Sequence, residues 1–355
     1  MKRGFDSHRP LIDKQALLLV VTGPRLRHGF DSRYPLMRQK IKAVIALGLL
    51  SPVLAELLSG SAPASVFFDP FFFVLQVVSY GIPALIMREL AVKWKLGVSG
   101  LFVLGLGYGI FNEGLLANTF FSEDASFFKG YGFYLGLNLA WVPFAAIWHS
   151  LHAILYPTML VHFLYPDVAQ QRWLSGRMVK LLFVIALLES GLLYFAPHKN
   201  FQGTYFFVFW LAIFILAFLS KRFTAPVEYK SLTSYKGAFF LGFFTVPLYV
   251  ILIALTKTQL PLFIYWIVLI GLVLVLWRRL KKKEWVTVPA LIVFLSGDYI
   301  GNGIFAVLGR RSFEVLLTSI AITSFLLYLV RKSRLRTAAS NVIPPSIDRD
   351  ASLPL

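Results

Sequence analysis

Runs of about twenty apolar residues recur along the chain, separated by short stretches that hold most of its Lys, Arg, Pro and Gly. Such runs fall at roughly 42–60, 68–88, 97–118, 131–165, 178–197, 204–220, 237–256, 259–277, 285–308 and 313–330. At 1.5 Å per residue, about twenty residues cross a hydrocarbon core of about 30 Å. The runs are continuous, whereas a membrane barrel alternates polarity over about ten residues per strand, so helices are predicted. The expected fold class is all-α: a polytopic transmembrane bundle of about ten helices.

The run 131–165 is long for one crossing, since a straight helix of that length would reach about 52 Å. Charge chooses between one crossing and two. Counted as one, 30 of the 35 Lys and Arg residues fall on a single side, leaving Lys129, Lys199, Lys257, Arg310 and Arg311 on the other. Counted as two, the bias nearly disappears. Cytoplasmic connections retain basic residues, so one crossing is predicted, with both termini inside and a cell (plasma or inner) membrane location. The domain reading is a basic cytoplasmic tail at 1–40, a transmembrane domain at 41–331 and a cytoplasmic tail at 332–355, both tails expected to lack fixed structure. Met37-Arg38-Gln39-Lys40 followed by apolar residues has the form of a signal-anchor start, which makes Met37 an alternative first residue.

Composition agrees with a lipid solvent. Hydrophobic residues make up 57% of the 355 and charged residues 15%, against about a quarter charged in soluble domains. The net charge of +18 is distributed between apolar runs and forms no single basic face, so nucleic acid is excluded as a partner. The bilayer itself, with anionic lipids at the cytoplasmic face, is the expected partner. The absence of Cys removes disulfides, thiolate metal sites and thiol nucleophiles.

Ionisable groups at bilayer depth are costly unless they meet a partner or a cavity, so the few present are the site candidates. Glu113, Glu189 and Asp298 lie within segments three, five and nine, and His149 and His152 within segment four. On an ideal helix Asn138, His149, His152 and Tyr156 share one face, and Pro143 and Pro157 would bend it there. Glu113 and Asn112 sit in GLGYGIFNEGL at 105–115, whose glycines admit close helix packing. Asp298 and Asn302 share a face of SGDYIGNG at 296–303, where Gly297 and Gly301 have small-xxx-small spacing. Glu56 and Asp69 are placed near the outer interface as solvated groups. Arg88 and Glu89 are read as an interfacial anchor. HSLH at 149–152 lacks the ligands that follow in HExxH enzymes, so no metal is expected, and no nucleotide or cofactor motif appears.

With LLSPVLAELLSGSAP at 49–63, IMREL at 86–90 and YGIFNEGLLANTFF at 108–121, the chain resembles an uncharacterised group of prokaryotic multi-pass membrane proteins. It is also similar, over two helices, to the CAAX-protease-like (CPBP) glutamate intramembrane proteases, which carry EExxxR and then a membrane FxxxH. Glu113 lies on the second glutamate, with Asn112 in place of the first and Ala117 in place of the arginine. His149 follows 36 residues later, with Phe144 one position too far away. That similarity implies a glutamate–histidine site that activates water.

Three functions are expected in turn. The first is transport or permeation of a small solute or lipid-like molecule through a polar cavity opening to the non-cytoplasmic side, lined by segments three, four, nine and five. The second is an intramembrane hydrolase using Glu113 and His149. The third is a non-catalytic membrane scaffold.

Overall fold

The computed structural model describes residues 33–58, 61–123, 128, 130–196, 203–224, 239–240, 242–243, 261–281, 288–308 and 313–342. Helices dominate. Helix α1 (Arg33–Pro52) passes into a π-helical turn at Val53–Leu57. The short α2 (Ala64–Phe67) leads to α3 (Pro70–Gln76), a π turn at Val77–Gly81 and α4 (Ile82–Trp94), which together form one rod. Helix α5 (Val98–Ile110) ends in a π turn at Phe111–Leu116. Helix α6 (Trp141–His149), a π turn at Ser150–Leu155 and α7 (Tyr156–Leu164) form another rod. The remaining helices are α8 (Gly176–Tyr194), α9 (Gly203–Ser220), α10 (Leu262–Lys281), α11 (Val288–Leu308) and α12 (Phe313–Val342).

Among the described residues four stretches are long and apolar enough to cross a membrane: Pro70–Lys93, Val98–Leu116, Trp141–Leu164 and Gly203–Ser220. Others of the expected ten are helical but carry charge, as α8 does with Arg177, Lys180 and Glu189, or have only shorter apolar stretches, Leu262–Gly271 and Phe313–Leu329. Most of the run 237–256 lies outside the described residues. Leu188, Leu192, Phe207 and Leu211 are more than half exposed on α8 and α9, a face suited to lipid and not to water.

Two helices extend beyond the apolar runs. Helix α1 starts at Arg33 and α12 continues to Val342, so part of each expected tail is helical; residues 1–32 and 343–355 lie outside the described residues. The run 131–165 is not one rod. Its first part is an antiparallel hairpin, β1 (Phe133–Tyr134) with β2 (Leu137–Asn138), in which Phe133 pairs with Asn138 and Tyr134 with Leu137. Leu135 and Gly136 both have positive φ, 54° and 76°, as the tight turn of a two-residue hairpin requires. Tyr265 and Tyr205 donate from their hydroxyls to the carbonyls of Ala140 and Leu135 and hold the hairpin to α10 and α9.

The remaining rods pack through small residues. Gly105 faces Ser150, and Gly109 meets the backbone of Ala146 directly, with no room for a Cβ. Gly297 and Gly301 likewise abut the backbone of Phe239 and Phe243. With lipid outside and apolar side chains inside, such close backbone contact drives association where the hydrophobic effect cannot.

The expected interfacial anchor is instead fully buried. The Arg88 guanidinium bonds the Glu89 carboxylate at 2.6 Å, the carbonyls of Ala169 and Gln171 at 2.7 Å each, and His162 Nε2 at 3.2 Å. It also lies 3.5 Å above the Trp173 ring. Glu89 accepts from the Trp173 amide at 2.9 Å. A planar five-donor fork can gather several carbonyls at once, and this one ties the 165–173 connection onto α4.

Candidate functional site

Each of the four π turns carries polar residues of one buried cluster or adjoins them: Glu56 in the first, Ser79 and Tyr80 in the second, Asn112 and Glu113 in the third, and His152 in the fourth, which starts just after His149. An extra residue per turn rotates a side chain off the regular stripe and aims it at a neighbour, and π turns recur at functional sites for that reason. Two of them have a local cause. Pro83 and Pro157 stand just after the second and fourth, and a proline ring displaces the carbonyl of the preceding turn.

At the centre, His149 Nε2 lies 2.6 Å from Glu113 Oε1. Glu113 Oε2 accepts from the Thr119 hydroxyl, which in turn accepts from Trp141 Nε1 at 2.8 Å. With Glu113 as a carboxylate both oxygens accept, and the His149–Glu113 bond then carries its proton on Nε2. That leaves the other ring nitrogen as the basic one. His149 Nδ1 is buried and has no hydrogen-bond partner among the described residues. Beside the ring, Asn112 Nδ2 lies 3.3 Å from Nε2 and donates to the Tyr80 hydroxyl at 3.0 Å, and Tyr80 donates to Glu56. Glu113, Asn112 and His149 are all below 8% exposed.

His152 is placed three residues on and is used differently. Its Nδ1 donates to the Trp148 carbonyl at 3.0 Å and its Nε2 faces Asp298 Oδ2 at 2.8 Å. Rings enclose it: Trp148 stacks at 3.9 Å, and Tyr156 and Tyr299 meet it edge-on at 5.2 and 5.8 Å. Both nitrogens are occupied, so this imidazole ties α11 to the fourth π turn and holds a proton in place. Asn302, one turn beyond Asp298, donates to the Leu58 carbonyl at 2.9 Å.

The structure thus brings Glu113, Asn112 and His149 together, and His152, Tyr156 and Asp298 together, as two adjacent groups of three. Glu189 accepts from the Ser79 hydroxyl, and its neighbour Ser190 donates to the Leu187 carbonyl. Asn138 leaves the stripe, because the helix begins after it; its Oδ1 accepts from the Trp141 amide at 3.0 Å. Glu56 is the residue that sequence reasoning misplaces: it is half-buried and bonded to Tyr80, with no solvated role. Its signal is a lone carboxylate four residues after Pro52 within an apolar run. Tyr80, Thr119 and Trp141 carry no such signal, since hydroxyl and indole groups cost too little in a membrane to stand out. Asp69 does sit in an exposed position, accepting from the amides of Phe71 and Phe72 at the start of α3.

The comparisons with known proteins align with this picture at a coarse level. A family model described as "Uncharacterized membrane protein family" matches residues 45–343. An uncharacterized protein of Archaeoglobus fulgidus is 29% identical over 131 residues, which cover 34% of this chain and 38% of that protein, so well under half of the relative's length is spanned. No solved structure matches. The resemblance to an uncharacterised membrane group is thereby supported; the likeness to glutamate intramembrane proteases rests on the residues alone.

Proposed function

The chain belongs to this uncharacterised membrane protein family, and we propose that it is an intramembrane hydrolase in which Glu113 and His149 activate water against a carbonyl-linked bond of a membrane-resident substrate. The supporting observation is the 2.6 Å contact between His149 Nε2 and Glu113 Oε1, with His149 Nδ1 buried and unpartnered among the described residues. A carboxylate that holds one ring nitrogen fixes the tautomer and orientation of the imidazole and stabilises the imidazolium that forms when the other nitrogen takes a proton. In this reading His149 Nδ1 removes the proton from water and Glu113 balances the charge, while Asn112 and Tyr80 form the polar wall beside them.

The reading includes a threading of about ten helices with both termini in the cytoplasm of a cell membrane, a count and orientation drawn from the apolar runs and the basic connections. It is tested with purified protein in proteoliposomes carrying a quenched fluorogenic transmembrane peptide and a fluorogenic phospholipid. Hydrolysis of either, lost in Glu113→Ala and His149→Ala while the proteins stay folded, is expected. Undiminished hydrolysis in both variants refutes the assignment.

A second reading, a proton-coupled carrier, is favoured by one observation: the His152–Asp298 pair at 2.8 Å lies three residues from His149 on the same rod, and such neighbouring titratable pairs can pass protons. Proton-coupled uptake without hydrolysis would select it.

A further inference from the structure

A cavity of about 730 Å³ opens between α4, α5, α8 and α9; Glu113, His149, His152 and Asp298 are not among its lining residues. Ligand pockets span about 300–1,000 Å³. Its walls are apolar, with Ile86, Leu104, Phe111, Phe183 and Ile213 among them, and one end is basic, where Lys93, Arg172 and Lys180 line the rim. Lys93 and Lys180 are exposed and form no ion pair among the described residues. Glu89, the acid at this end, is already held by Arg88 at 2.6 Å and Arg172 at 3.4 Å.

Two further features point the same way. Gly176, at the start of α8, lines the rim, so the partial positive charge of that helix end adds to the lysines. At the deeper end Trp210 adds its ring to the apolar wall. Between the rim at Lys93 and the depth at Pro83, α4 rises about 15 Å, which is half of a hydrocarbon core of about 30 Å. The cavity is one leaflet deep.

We infer that this cavity is a binding site for an anionic phospholipid, whose phosphate sits among Lys93, Arg172 and Lys180 and whose acyl chain fills the apolar shaft. Charge complementarity selects the headgroup, and the depth selects a chain of one leaflet. The basic rim lies at helix ends beside stretches rich in Lys and Arg, the side on which cytoplasmic leaflets carry anionic lipid. This site stands independently of the hydrolase reading, because Glu113 and His149 take no part in it.

The test is native mass spectrometry of the full chain in a non-ionic detergent, titrated with phosphatidylglycerol or phosphatidylcholine. The wild type is expected to retain phosphatidylglycerol at least about thirtyfold more strongly than phosphatidylcholine, the effect of two or three interfacial cations. Lys93→Gln with Lys180→Gln removes that preference. Ala217→Trp, which fills the shaft from α9, lowers retention of both lipids. Circular dichroism and gel filtration establish that each variant is folded. Equal retention of the two lipids by the wild type, an unchanged preference in the folded lysine double variant, undiminished retention by folded Ala217→Trp, or release of the lipid by inorganic phosphate overturns the proposal.

Discussion

At the scale of single residues, the two histidines of α6 and the following π turn differ in what their second nitrogen does. His152 spends both, on Trp148 and Asp298, whereas His149 spends one on Glu113. Glu113→Gln is therefore expected to lower hydrolysis by up to about 10⁴, as loss of a carboxylate that orients an imidazole does, with little change in thermal midpoint. His152→Ala is expected to act in the opposite proportion, lowering the midpoint through loss of the α11 contact; activity assays paired with thermal denaturation in detergent separate the two. Arg88 offers a plain stability test. Arg88→Met strands the Glu89 carboxylate and the carbonyls of Ala169 and Gln171 in a dry interior, at a cost of about 3–5 kcal/mol, whereas Arg88→Met combined with Glu89→Leu restores part of it. A double variant as unstable as the single one would mean that the carbonyls, and not the acid, carry the loss. The central acids and imidazoles are legible in the sequence because charge at bilayer depth is expensive enough to mark them. The Glu113–His149 pairing is suggested only by the family resemblance, and the His152–Asp298 pairing not at all, since residues 146 positions apart meet only through helix packing.

At the scale of elements, periodicity locates the rods and fails where the chain departs from 3.6 residues per turn. Gly130, Gly132 and Gly136 all have positive φ, and they turn the first part of an apolar run into a hairpin that hydropathy cannot distinguish from helix. The π turns are equally silent, because one added residue leaves no mark in composition. The glycines of 105–109, by contrast, announce close packing, and they supply a graded test. Gly109→Leu has no space against Ala146 and is expected to push α5 from α6, separating Glu113 from His149 and abolishing activity. Gly107→Ala meets Ile213 only at 3.6 Å, ordinary contact, and should be tolerated. Paired activity and midpoint measurements check both, and an active Gly109→Leu would show that the two rods need not touch so closely.

At the scale of the whole molecule, packing and threading are separate questions. The four apolar rods that are long enough to span lie against one another through a shared core, but a core is compatible with either orientation in the bilayer. Orientation follows from where the basic residues can stay, and thirty of the 35 lie on connections that alternate with those holding the other five. The three cations at the rim of the apolar cavity lie in two of the basic stretches, one on each side of the Trp141–Leu164 rod in sequence. A tilt or bend within that rod leaves the argument intact, whereas a second crossing there would put the 88–95 and 172–180 stretches on opposite faces and tear the rim apart. A reporter domain fused after residue 129 is accordingly expected to be accessible from outside the cell, and one fused after residue 230 from the cytoplasm, in protease protection or cysteine labelling of the cysteine-free chain. Finding both on the same side would leave the rod crossing an even number of times, and the lipid cavity could not then have a single basic end.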